Sequence, residues 1–251
     1  MMQPASPTAV FALEAVGKRF GYRDALSEVS CEVPEGAFAL LLGSNGAGKT
    51  TLLKLLSTLM RPSSGRILFR GEALPGAAAR ARQDLGAISH EARLYLDLTA
   101  RENLRVFGRL YGVRGLAARI GTALGEVRLD DVADVPVRAF SSGMLKRLSI
   151  ARLLLYGPRV LLLDEPYSGL DQASIALLDE FLAGFLRNGG TTVMVTHQFT
   201  AGVALATHAL VLHQGRLVYN RPAEGLTPAR CAELLQDTGA GGAPPAAASG
   251  T

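Results

Sequence analysis

Gly43-Ser44-Asn45-Gly46-Ala47-Gly48-Lys49-Thr50 stands between the apolar run Ala37 to Leu42 and the helix-compatible stretch Thr51-Leu52-Leu53-Lys54-Leu55-Leu56. A buried strand, a glycine-rich turn and a helix start in that order leave few folds open. The three glycines let backbone N–H groups converge inward, because no Cβ obstructs their approach or the positive φ that such a nest needs. The loop is therefore built to hold phosphates at a helix N-terminus. Lys49 supplies a mobile positive charge to the β- and γ-phosphates of a nucleoside triphosphate, and the Thr50 hydroxyl is a hard oxygen ligand for Mg²⁺.

The rest of the chain must supply a core and a second set of polar groups. Its 251 residues are 48% hydrophobic, enough to bury a large core. Twenty-six basic residues against 22 acidic ones leave a net charge of +4, too dispersed for the concentrated basic stripe of a nucleic-acid binder, so no nucleic-acid partner is expected. The basic residues are nearly all arginine, and the runs from Arg61 to Arg93 and Arg101 to Arg119 read as solvated helix and loop surface at least as readily as a partner surface. Cys31 and Cys231 are far apart and form no metal-ligand pattern, as expected of reduced structural thiols. No apolar run approaches the ~18 residues of a membrane span, and the N-terminus has no charged-then-apolar signal pattern. A cytoplasmic chain that reaches the membrane through a partner is the expectation.

Residues 1–8, with Pro4 and Pro7, read as a flexible leader, and the Gly/Ala/Pro-rich residues 239–251 as a disordered tail. Short apolar segments from Val10 to Val33, broken by Gly17, Gly21 and Pro34, read as antiparallel strands and turns. The helix after the phosphate loop is expected to reach about Met60, followed by a turn over residues 61–65 and a strand over Arg66 to Phe69. Thr99-Ala100-Arg101-Glu102 has capping-box spacing and starts a helix ending near Tyr111. Two more helices, about Leu116 to Val127 and Ser142 to Leu155, make residues 95–157 an all-helical insert. Val160 to Leu163 and Thr191 to Val195 have the short, branched character of strands buried on both faces. Ile175, Leu178, Phe181, Leu182 and Phe185 recur between them at helical spacing, and residues 210–219 read as a hairpin.

Asp164-Glu165 ends the first of those strands, at the edge where parallel α/β sheets bind ligands. Asp164 suits Mg²⁺, directly or through water, and Glu165 suits polarisation of an attacking water. Ser141-Ser142-Gly143 opens the helix at Ser142 with hydroxyls and free amides, a second anion-binding helix start. His197 follows the strand ending at Val195.

In that order, these motifs resemble the nucleotide-binding subunits of ATP-binding cassette (ABC) transporters over residues 9 to 225. They correspond to that family's Walker A, signature, Walker B and switch histidine, and Ser168-Gly169-Leu170-Asp171 is similar to its D-loop. The resemblance implies an α/β fold: a RecA-like P-loop NTPase core with an antiparallel β subdomain and an inserted helical subdomain, within one ATPase domain over 9–238. It implies ATP and Mg²⁺ as ligands, bound by Gly43 to Thr51, with Phe20 stacking on adenine and Tyr22 the nearby alternative. A sandwich dimer is implied too, homodimeric or heterodimeric, in which Ser141, Ser142, Gly143 and Asp171 meet the nucleotide held by the opposite cassette. His197 would orient Glu165 or the γ-phosphate, and transmembrane permease subunits would hold the cassette at the cytoplasmic face of the membrane.

Two positions depart from the common family pattern. The signature reads Phe-Ser-Ser-Gly-Met in place of Leu-Ser-Gly-Gly-Gln, and it keeps the serine and the second glycine. In Ile88-Ser89-His90-Glu91-Ala92, His90 occupies the place of the Q-loop glutamine, where a neutral imidazole would serve Mg²⁺ or the attacking water. That histidine, with residues 94–104, 109–113 and 211–219, resembles the ATP-binding subunits of cytochrome c maturation haem exporters. A drug or polysaccharide exporter is the alternative. A soluble ATPase working on ribosomes or DNA is disfavoured by the single cassette and the lack of sustained heptads.

Overall fold

The computed structural model describes residues 9–89, 93–197 and 202–239. Along the chain these form β1 (Ala9–Phe20), β2 (Arg23–Pro34), β3 (Phe38–Gly43), α1 (Lys49–Leu56), β4 (Ser64–Phe69), β5 (Glu72–Ala73), α2 (Leu74–Asp84) and β6 (Leu85–Ile88). There follow α3 (Ala100–Leu110), α4 (Leu116–Glu126), α5 (Ser142–Tyr156), β7 (Val160–Asp164), α6 (Gln172–Arg187), β8 (Thr191–Val195), β9 (His208–His213), β10 (Arg216–Pro222) and α7 (Pro228–Gly239). Residues 1–8, His90, the rest of the 90–92 segment and the tail beyond Gly239 lie outside the described residues.

Two sheets organise these elements. The larger has the order β10-β9-β3-β8-β7-β6, parallel except for β10 at its edge. The smaller is antiparallel, with order β2-β1-β4-β5. Strand periodicity explains why the central strands carry apolar residues at every position: successive side chains point to opposite faces. In β3, Phe38, Leu40 and Leu42 pack into a core shared with α3, α4, α5 and α6, while Ala39 and Leu41 enter a second core shared with α1 and the antiparallel sheet. The neighbouring β7 divides in the same way, Leu161 and Leu163 facing the helices and Val160 and Leu162 facing the other side. Both faces of the sheet are thus covered, and its strand ends are left to build a site.

The helices start where their caps dictate. Thr99 accepts from the Glu102 amide, and the Glu102 carboxylate accepts from the Thr99 amide at 2.9 Å, so the box begins α3 as expected. Buried Asn103 secures the preceding turn by accepting from Tyr95 N and donating to the carbonyls of Tyr95, Leu98 and Thr99.

Two expectations need correction. The helix after the loop stops at Leu56, short of Met60, because Thr58 takes a φ of 60° and the Leu59 and Met60 amides both turn back to the Lys54 carbonyl. Gly17 does not break a strand: β1 runs through it, and register shifts on either side of Val16 absorb the irregularity.

Candidate functional site

The loop between β3 and α1 needs its glycines. Gly46 and Gly48 sit at φ of 80° and 106°, and a Cβ on Gly48 would lie 2.6 Å from the Ala25 carbonyl oxygen. Ala47 turns into the core, 2% exposed, whereas Ser44, Asn45 and Gly46 face outward. Lys49 folds back over the loop and donates to the carbonyls of Gly43 at 2.7 Å and Ser44 at 2.9 Å. Burial pulls its ammonium below the ordinary lysine pKa, against the opposing pull of Glu165 and Asp164.

Parallel pairing of β7 with β8 brings the acidic pair to this loop. Asp164 is in register with Val195, and the Thr50 hydroxyl donates to Asp164 Oδ2 at 3.0 Å. Glu165 adopts a φ of 49°, a conformation that costs a non-glycine residue about 1–2 kcal/mol, and its amide donates to the Val195 carbonyl at 2.9 Å. This turn aims the carboxylate at His197. Glu165 Oε2 accepts from the His197 amide at 3.2 Å, and Oε1 lies 3.6 Å from His197 Nε2. Oε1 is buried and has no hydrogen-bond partner among the described residues, an unmet acceptor at the cleft.

Asn45, Gly46, Gly48, Lys49, Thr50, Thr51, Asp164, Glu165 and His197 line one cleft of about 630 Å³, together with Phe20 and Arg23. Gly43 and Ser44 act behind it through their carbonyls. Phe20 is 49% exposed with the Lys18 ammonium 5.4 Å from its ring centre, whereas Tyr22 is fully exposed and does not line the cleft. Of the two aromatics, only Phe20 lines the cleft.

The residues present fit Mg²⁺. Thr50 and Asp164 offer two hard oxygens 3.0 Å apart, and among the described residues no group of three carboxylate, imidazole or thiolate side chains could form an all-protein cage. That donor set suits an ion that keeps waters and takes its other ligands from phosphates.

The helix start at α5 lies elsewhere. Ser141 caps it, accepting from the Met144 amide at 3.3 Å, and the Ser142 hydroxyl donates to the Gly169 carbonyl at 3.0 Å. Asp171 caps α6 by accepting from Ser174 N at 2.8 Å, and those Ser174 contacts hold its carboxyl below the usual range. A Cβ on Gly143 would sit 3.2 Å from Ser174 Oγ and 3.8 Å from Asp171 Oδ2, so the α5 and α6 starts form one small surface. None of these four residues lines the cleft around Lys49. His90 lies outside the described residues, but its neighbour Ser89 borders an adjacent cleft that also reaches Thr50 and Asp164.

A search of protein-family models matches the ABC transporter model to residues 26–168. The chain belongs to the ABC transporter family of ATP-binding subunits. It is 37% identical to a Nod factor export ATP-binding protein I of Ralstonia nicotianae, over 90% of this chain and 72% of that protein. It is 40% identical to the protein of that name in Burkholderia orbicola, over 81% of this chain and 67% of that one. Among solved structures, the ATP-binding subunit of an ABC transporter superposes with a TM-score of 0.82 at 26% identity, covering 90% of this chain and 99% of that one. A dimeric ATP-binding cassette in a post-hydrolysis state, bound to ADP and Pi, superposes at 0.77 over 85% of this chain and 98% of its own, at 24% identity. This ABC subunit is an ATPase, and its fold is the mixed α/β P-loop cassette expected from the motifs.

Two cleft neighbours escaped sequence reading. Arg23 reaches the loop from the start of β2, with Nη2 3.6 Å from the Cβ position of Gly46. Its only sequence signal is a cation three residues after Phe20. Lys146 is 9% exposed on α5, and burial lowers its pKa against the pull of Asp164 and Glu165. A buried lysine one turn into the signature helix is the signal that points to the acidic pair.

Proposed function

We propose that this ABC subunit hydrolyses ATP as one of two cassettes, each contributing half of every ATP site, and so drives an exporter. The observation that carries the reading is the division of polar groups: Thr50, Asp164, Glu165 and His197 converge on the Lys49 cleft, while Ser142 and Gly143 are presented on a separate surface. In this reading the loop amides and Lys49 hold the phosphates, Phe20 stacks on the base and Arg23 adds charge at the cleft edge. Mg²⁺, held by Thr50 and Asp164, would neutralise charge on the β- and γ-phosphates. Glu165 takes the proton of the attacking water, and His197 holds Glu165 in place. Ser141, Ser142, Gly143 and Asp171 meet the γ-phosphate of the opposing cassette, and His90 stands near the Mg²⁺ ligands.

No helix among the described residues is long and apolar enough to cross a membrane, so transmembrane permease subunits would supply the pathway and hold the cassette at the cytoplasmic face. Export is favoured by the names of the two relatives above, both Nod factor export ATP-binding proteins. Haem export is the narrower reading; it rests on His90 and the loop stretches alone and is checked by whether cytochrome c assembly proteins co-purify. Glu165→Gln tests the chemistry: ATP binding is retained while steady-state hydrolysis falls about a hundredfold or more. Normal turnover in that variant would remove Glu165 from the role of base.

A further inference from the structure

Residues 103–125 contain Arg105, Arg109, Arg114 and Arg119 and no acidic residue, so this one corner carries as much positive charge as the net +4 of the whole chain. In the structure the stretch is α3, its turn and α4. Arg101, Arg105 and Arg109 follow one another at every fourth position, which stacks them on one helical face. They border a cleft of about 400 Å³ whose other wall is Leu116, Ala117 and Ile120 of α4.

Elsewhere on the surface Arg19, Arg66, Arg80 and Arg138 each pair with a carboxylate, and those without an ion pair among the described residues, such as Arg61, Arg128 and Arg187, are scattered along the chain. At the corner only Arg101 does so, with Asp134 at 2.8 Å. Arg105 is within electrostatic reach of Glu102 and Asp134, but neither it nor Arg109, Arg114 or Arg119 makes an ion pair or side-chain hydrogen bond among the described residues. All four are exposed. Beside them Leu110 is 71% and Tyr111 40% exposed, Tyr111 being fixed by stacking on Tyr156 with ring centres 3.8 Å apart.

Unpaired guanidinia in one stretch with an exposed leucine and a tyrosine fixed by its ring match an interfacial membrane surface: the cations meet anionic headgroups and the apolar groups enter the acyl boundary. A nucleic-acid surface would not call for the exposed Leu110. We propose that the α3–α4 corner docks on anionic phospholipid headgroups, beside whatever permease holds the cassette. The inference rests on the membrane-transporter reading and adds a direct lipid contact to it.

Flotation of the full chain with phosphatidylcholine vesicles, with and without about a third phosphatidylglycerol, reads this contact without any permease. The wild type is expected to float with the anionic vesicles only, and less so as salt rises. Each Arg→Gln change among Arg105, Arg109, Arg114 and Arg119 should weaken partition about fivefold, and Leu110→Ser should weaken it at high salt as well. ATPase activity, which none of these residues serves, reports that each variant is folded. Equal flotation with neutral vesicles, no flotation, or unchanged flotation of the quadruple variant overturns the proposal. So does capture by a DNA oligonucleotide as strong as that by anionic vesicles, which would mark a surface for polyanions at large. Loss of permease co-purification with lipid binding intact would instead count against the transporter reading alone.

Discussion

The cleft around Lys49 and the surface around Ser142 are built from the same materials, a helix start with small residues and hydroxyls, yet they are finished to different degrees. At the first, groups from four separate segments close on one space: Phe20 and Arg23 from the hairpin, the loop itself, the acidic pair after β7 and His197 after β8. At the second, Ser142 and Asp171 satisfy each other's neighbourhoods through Gly169 and Ser174 and face solvent without any partner for an incoming phosphate. In the proposed reading, the difference means that one fold supplies the catalytic groups and only part of the recognition of the γ-phosphate. On that reading, such a cassette binds ATP alone and turns it over in company.

Substitutions that separate binding from turnover probe that comparison. Lys49→Ala should have the largest effect on the first region, lowering ATP affinity about a hundredfold as measured by calorimetry, because the phosphates lose charged hydrogen bonds in a half-buried site. Affinity close to wild type would place the phosphates elsewhere. Ser142→Ala should leave ATP affinity of the isolated chain unchanged and reduce hydrolysis about tenfold, with the defect growing clear only at concentrations where cassettes pair. A matching loss of affinity would merge the two regions into one site and end the distinction. Arg23→Ala is expected to weaken ATP binding about threefold to fivefold, the scale of an exposed charge pair, with turnover at saturation unaltered. The smallest effect belongs to neither region: Thr99→Ala should cost about 1 kcal/mol of stability in urea unfolding through the lost cap of α3, with ATP affinity unmoved.

Legibility in the sequence followed the locality of the interaction. The loop was readable because its glycines, lysine and threonine act within eight consecutive residues. The Thr99 box was readable for the same reason. Leu85-Gly86-Ala87-Ile88 was not, since four weakly apolar residues become a strand only by pairing with Leu161 to Leu163 and Val160 of β7. The stop of α1 was missed because it depends on Thr58 taking a left-handed φ that no residue type there announces. Arg23 and Lys146 were missed because each matters only through segments distant in sequence, the loop at Gly46 and the pair at Asp164.

By itself, then, the sequence determined that the chain carries a phosphate-binding loop, which short motifs are proposed to serve the nucleotide, and that the central strands are buried on both faces. Those follow from local spacing, from the positive φ that glycine tolerates and from the period of a strand. Tertiary structure alone decided that Thr50 lies 3.0 Å from Asp164, that Glu165 turns toward His197, and that Ser142 stands outside the cleft its motif serves. The register of a parallel sheet sets those distances, and register is fixed by the packing of both cores together, which no single segment encodes.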